Sequence, residues 1–166
     1  HMYSVGEHIL HSIENVENQK ILRLAMLFHD IAKPEKLTID DEGITHFYGH
    51  PDKSSEMAKD IMLRLKFDNA TMDKVCRLAL YHDRSIDTNE KSVRRSLNKI
   101  GNDIFPELIK VRYADILAQS DYLRQEKLDN NKKVSQIYDE IYNDGALLYE
   151  IEEFDENGNC RIRYCR

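Results

Sequence analysis

The residues best suited to chemistry are imidazole and carboxylate groups set in apolar surroundings. His29 and Asp30 lie within Leu27-Phe28-His29-Asp30-Ile31-Ala32, and Asp115 lies within Tyr113-Ala114-Asp115-Ile116-Leu117-Ala118. A carboxylate is costly to bury without a partner, and Asp is a poor residue for a helix interior. Groups placed this way call for cations or a metal ion. On the first helical stretch, at roughly 100° per residue, His8 flanks the apolar face of Val5, Ile9 and Val16, whereas His11 falls nearly opposite. His50 precedes Pro51 at the mouth of a helix, and His82 closes another. Four His and two Asp (His8, His29, Asp30, His50, His82, Asp115) thus sit at element ends or on buried faces. Such nitrogen and oxygen donors suit Mn, Fe, Co, Ni or Zn, with Mg fitting an oxygen-rich site. An ion of this kind acidifies a water and polarises a phosphoryl oxygen. A structural zinc would be rich in thiolate, and Cys76, Cys160 and Cys165 have no spacing for one.

The elements that must position these groups are helical. Only six Gly and three Pro punctuate 166 residues. Apolar periodicity predicts helices over 5–17, 19–31, 53–65, 71–82, 91–100, 104–120 and 132–143, with Pro34 enforcing the end of the second. The fold class is therefore all-α. Residues 36–49 break the pattern and read as a small hairpin or ordered loop, in which His46 is a loop or stacking residue. Residues 149–154, the pair Asn157-Gly158 and residues 160–164 form a second hairpin signal. Tyr138, Tyr142, Tyr149 and Tyr164 are read as packing residues. Arg94, Arg95 and Lys99 share a helical spacing near His82; they line a phosphate or RNA groove or form a solvated face.

Composition narrows the class. Hydrophobic residues make up 41% and charged residues 33%, so the chain has the material for a core and is not a disordered tail. No apolar run approaches the roughly 18 residues of a membrane span. The net charge of −6 argues against broad capture of nucleic acid, though not against a local basic groove. An odd, scattered cysteine set fits a reducing cytoplasm. His1-Met2 reads as a tag remnant, and with the end at Arg166 it suggests a piece of a longer polypeptide whose further domains would be partners. The expected division is a domain over 3–145 and a hairpin extension over 146–166, read as a docking edge or the start of a further domain.

The order His8, His29-Asp30, Asp115 resembles the HD-domain metal-dependent phosphohydrolases. The resemblance tightens at His29-Asp30-Ile31-Ala32-Lys33-Pro34, at His46-Phe47-Tyr48-Gly49-His50-Pro51 with Ser54 or Ser55, and at Ala114-Asp115 with Ala118-Gln119. These segments are similar to the HD domain attached to bacterial tRNA nucleotidyltransferases, whose nucleotide-transferring domain has no counterpart in these residues. The resemblance spans roughly His8 to Asp121. It implies a helical bundle with the short hairpin after the His-Asp helix. It also implies a first divalent metal on His8, His29, Asp30 and Asp115, and a second, in binuclear members, on His50 and His82. Lys33, with Arg94 or Arg95, would hold phosphate, and His50, His82 or a water would be the acid for the leaving oxygen. The implied function is hydrolysis of nucleotide or RNA-terminal phosphates, such as a 2',3'-cyclic phosphate, by a phosphatase or phosphodiesterase. Two other readings stay open: a non-catalytic RNA- or nucleotide-binding or docking module with a structural metal, and a dinucleoside polyphosphate or deoxynucleotide hydrolase. Metal identity, one ion or two, and oligomeric state are open as well.

Overall fold

The computed structural model describes residues 4–147, 152–154 and 160–162. Seven helices are seen among them: α1 (Val5–Glu14), α2 (Lys20–Phe28), α3 (His50–Arg64), α4 (Asn69–Tyr81), α5 (Glu90–Ile100), α6 (Phe105–Ala118) and α7 (Arg124–Leu147). A two-stranded antiparallel hairpin, β1 (Thr38–Ile39) and β2 (Thr45–His46), separates α2 from α3. A second, β3 (Glu152–Phe154) with β4 (Cys160–Ile162), follows α7. The turn expected at Asn157-Gly158, with Tyr149, Tyr164 and Cys165, lies outside the described residues.

Local chemistry sets the helix ends. Ser4 and Glu7 form a reciprocal capping box at the start of α1: the Ser4 hydroxyl accepts from the Glu7 N–H, and the Glu7 carboxylate accepts from the Ser4 N–H. Asp68 and Asn89 cap α4 and α5 in the simpler way. Helix α2 stops at Phe28 rather than at 31, and α1 at Glu14 rather than at 17. Pro34 sits in a separate 3₁₀ turn, Lys33–Lys36, so it is not what ends α2. Helix α7 begins at Arg124, eight residues before the expected 132. The stretch Arg124-Gln125-Glu126-Lys127 shows no apolar period, but these are strong helix formers.

Helix α2 is the hub, packed by α1, α3, α4 and α6. Two hydrophobic clusters flank it. The larger joins Leu22, Ala25 and Met26 to Leu78, Phe105, Leu108 and Val111. The smaller joins Phe28 to Ala58, Met62, Met72 and Val75. Tyr138 packs against the larger cluster, its ring 5.2 Å from that of Phe105, whereas Tyr142 is exposed. His29 and Asp30 follow directly on α2 and are fully buried between its neighbours.

Candidate metal centre

Each of four imidazoles is anchored by a backbone carbonyl. His29 caps the C-terminus of α2 and sets its Nδ1 2.7 Å from the Met26 carbonyl oxygen. His82 repeats this at the end of α4, with its Nδ1 2.7 Å from the Ala79 carbonyl oxygen. His50, the first residue of α3, places Nδ1 2.9 Å from the Phe47 carbonyl oxygen. His8 on α1 reaches the Ala118 carbonyl oxygen of α6 at 3.2 Å. A carbonyl oxygen only accepts, so each Nδ1 carries the proton and donates it. In the neutral ring each Nε2 then presents a lone pair.

These lone pairs converge on two carboxylates. Nε2 of His8 lies 2.9 Å from Asp115 Oδ1 and 3.3 Å from Asp30 Oδ2; Nε2 of His29 lies 3.3 Å from Asp30 Oδ2 and 3.6 Å from Asp115 Oδ1. On the other side of Asp30, Nε2 of His50 and of His82 lie 3.2 and 3.4 Å from Oδ1. The donor atoms form two sets, His8–His29–Asp30–Asp115 and Asp30–His50–His82, each with its members within 4.8 Å of one another. Asp30 belongs to both, offering one oxygen to each.

This arrangement fits a cation and is unfavourable without positive charge. The Nε2 atoms of His8 and His29 face each other at 3.2 Å, and those of His50 and His82 at 3.4 Å. Two acceptors at such distances repel unless a proton or metal lies between them. Asp30 Oδ1 is buried and lacks a hydrogen-bond donor, a costly state for a charged oxygen. Lys33 supplies one positive charge, its Nζ 2.5 Å from Asp30 Oδ2 and 5.7 Å from the centre of the Phe47 ring.

The titration of the cluster shows the same demand. Burial disfavours imidazolium at His8 and His29, but hydrogen bonds to Asp115 and Asp30 outweigh it and lift both to about 9. Burial also opposes the charged forms of Asp30 and Asp115, yet the surrounding imidazoles hold both well below the usual carboxylate range. Protons therefore take the place a divalent ion would fill.

A cavity of about 470 Å³ opens beside the centre, with Asp115 and His82 in its wall. It is also lined by Arg84, Arg112, Gln119 and Lys127. Gln119 Nε2 donates to Asp115 Oδ2 at 2.9 Å, and Lys127 Nζ donates to Gln119 Oε1 at 2.6 Å. Arg112 donates to the Arg84 carbonyl.

All six predicted ligands are thus brought together, with Lys33 beside them. Arg94 and Arg95 are not. Both are exposed on α5, Arg94 pairs with Glu90 at 2.7 Å, and neither lines the cavity. His46 stacks on Tyr48 and bonds Asp40, outside the cluster. Sequence reasoning passed over Arg84, Arg112 and Lys127. Arg112 and Gln119 stand three residues before and four after Asp115, a helical spacing that could have marked them. Lys127 lies in the part of α7 that showed no periodicity. No helix among the described residues is long and apolar enough to cross a membrane.

Comparison with known proteins agrees with this geometry. Two curated relatives are similar to part of the chain. The CC-adding tRNA nucleotidyltransferase of Thermus thermophilus is 33% identical over 97 residues, 58% of this chain and 22% of that protein. The A-adding tRNA nucleotidyltransferase of Deinococcus radiodurans is 26% identical over 121 residues, 69% of this chain and 28% of that protein. The chain therefore spans less than a third of either relative. The model of the HD domain matches residues 1–143. With nearly the whole described bundle inside that match, the chain belongs to the HD domain family, a superfamily of metal-dependent hydrolases.

Proposed function

We propose that this domain is a metal-dependent phosphohydrolase, a phosphatase or phosphodiesterase acting on nucleotide or RNA-terminal phosphates such as a 2',3'-cyclic phosphate. The observation that carries the reading is the placement of Asp30, with one oxygen toward His8 and His29 and the other toward His50 and His82. His8, His29, Asp30 and Asp115 would hold one divalent ion, and His50 and His82, with Asp30, a second; the donor set suits Mn, Fe, Co or Ni, with Zn and Mg as further candidates. Bound there, such ions supply acidification of a water and stabilisation of charge on phosphoryl oxygens.

The chain's own residues supply the rest. The four carbonyls hold the imidazoles in the tautomer that leaves Nε2 free. Gln119 holds Asp115 through Oδ2 and leaves Oδ1 facing the cluster. Lys33 stands at Asp30 as a cation available to substrate phosphate. With the first ion alone bound, His82, His50 or a water would be the proton donor to the leaving oxygen; with the second ion bound, both imidazoles are ligands and the donor is a water.

The likeness to two tRNA nucleotidyltransferases supports a nucleotide or RNA end as substrate. Asp115→Ala tests the reading. Losing this ligand should cost more than the roughly 10–100-fold in affinity or activity that follows loss of a supporting group. Metal content by elemental analysis and turnover of a chromogenic phosphodiester with added Mn, Co or Ni should fall together. Full turnover in that variant would end the proposal, and metal uptake without turnover of any phosphoester would favour a non-catalytic module.

A further inference from the structure

The cavity beside the metal centre has an uneven charge pattern. Its wall carries the three cations Arg84, Arg112 and Lys127, and among the described residues none of them forms an ion pair with a carboxylate. Arg112 is largely enclosed, and its recorded hydrogen bond uses only one of its guanidinium nitrogens, on the Arg84 carbonyl. The Arg84 side chain holds a buried Nε that has no acceptor. Buried donors left without acceptors are costly, and a guanidinium's fork matches the oxygens of a phosphate. The carboxylates Asp83 and Asp87 also line the cavity and are exposed, and Asp83, with Asp115, favours the charged form of Arg112.

From this pattern we infer that the cavity is a single-phosphate site, in which Arg112 and Lys127, with Arg84 beside them, hold one phosphate against the Asp115 side of the metal centre. The inference rests on the proposed phosphohydrolase reading and narrows its substrate. Arg112 stands one helical turn before Asp115, and Lys127 is joined to Asp115 through Gln119. Arg112 is thus one helical turn from a metal ligand and Lys127 one intervening side chain away, an arrangement that lets both face one phosphate. The rest of the ligand shares the cavity with Asp83 and Asp87. Two carboxylates there repel further phosphates and accept hydrogen bonds from hydroxyls. The substrate class is accordingly a phosphoester with one phosphate and an uncharged, hydroxyl-bearing remainder, such as a nucleoside or sugar. A polyphosphate or a long polynucleotide fits poorly.

Binding of inorganic phosphate to the full chain, measured by titration calorimetry with the metal-loaded protein and again after EDTA, tests this without requiring turnover. Phosphate should bind saturably in both states. Arg112→Gln should weaken it roughly tenfold or more, the scale of a lost charged hydrogen bond. Lys127→Gln should weaken it severalfold, and Arg94→Gln should leave it unchanged. Tripolyphosphate should bind no tighter than phosphate. Should Arg112→Gln fold poorly, Lys127→Gln, at a half-buried position of α7, carries the test alone. Phosphate affinity unmoved by these variants, or tripolyphosphate bound tenfold tighter than phosphate, overturns the inference. Because the EDTA arm involves neither metal nor catalysis, a domain that failed as a hydrolase would still bind phosphate there. Turnover with no phosphate binding at Arg112 would sink this inference alone.

Discussion

At Asp30 one carboxylate meets four imidazoles, and the balance of protons and metal there has consequences that depend on pH. In the metal-free protein His8 and His29 titrate at about 9, raised from the ordinary 6.5. The folded state therefore holds protons that the unfolded chain releases at lower pH. Their contribution to stability is fully present below about 6.5 and is lost as pH rises through about 9. Asp30 and Asp115 act in the opposite sense. With their native pKa values depressed, their contribution is present above the ordinary 3.8 and lost as pH falls. Thermal melts after EDTA should consequently show greatest stability in mildly acidic solution and a decline between roughly pH 6.5 and 9. With a divalent ion present the alkaline decline should vanish, because the ion replaces the protons. Adding metal to unbuffered protein at pH 7 should release protons detectable by an indicator dye. An EDTA-treated protein equally stable at pH 6 and pH 9 would contradict this account.

Among the elements, the entry to α3 is the most exacting. Gly49 adopts φ 73° and hands the chain to His50, whose Nδ1 bonds the Phe47 carbonyl across that turn. A Cβ at Gly49 would meet nothing within 4 Å, so its cost is conformational. Gly49→Ala should destabilise the domain by about 1–2 kcal/mol, the penalty for left-handed backbone. Relaxation of that strain should turn His50 away and lower metal content on the His50–His82 side before the Asp115 side. Unchanged metal stoichiometry together with unchanged stability would show that the turn does not aim His50. The same turn illustrates what the sequence made legible. His50-Pro51 marked a helix entry, which begins at His50 rather than at the expected 53, and His82 marked a helix exit, so these ligands could be read from helix ends. The Arg112 wall could not be read as readily, because an Arg inside a helix is more often solvated, and its partner, the Arg84 carbonyl, is 28 residues away in sequence. The start of α7 was hidden for a related reason. Residues Arg124 to Asn131 are tied to the bundle by side-chain bonds, Arg124 to the Gln119 carbonyl, Lys127 to the Gln119 side chain and Asn131 to the Ile109 carbonyl, which leave no periodic trace.

On the scale of the whole molecule, the centre joins what the hydrophobic clusters leave apart. Its donors come from α1, the ends of α2 and α4, the start of α3 and the body of α6, spanning residues 8 to 115. The larger cluster holds α6 to α2 and α4, and the smaller holds α3 to α2 and α4. The Asp30 carboxylate meets imidazoles from α1 and α2 through one oxygen and from α3 and α4 through the other, so a bound ion ties these helices to one point. Any ligand that binds only the folded state stabilises it by mass action, about 2.7 kcal/mol at a free concentration 100 times the dissociation constant. For a chain of this size each kcal/mol moves the melting midpoint by about 2–4 °C, so one ion should raise it by about 5–11 °C. Removing metal with EDTA should reverse that rise, and a graded Mn titration should restore it in proportion to the logarithm of free ion. In Asp115→Ala the response should shrink, because one donor set has lost a carboxylate while Asp30, His50 and His82 remain. A midpoint indifferent to both EDTA and Mn would mean that the six donors are held in place by packing alone, and that the bundle folds without any gain from the cation its geometry invites.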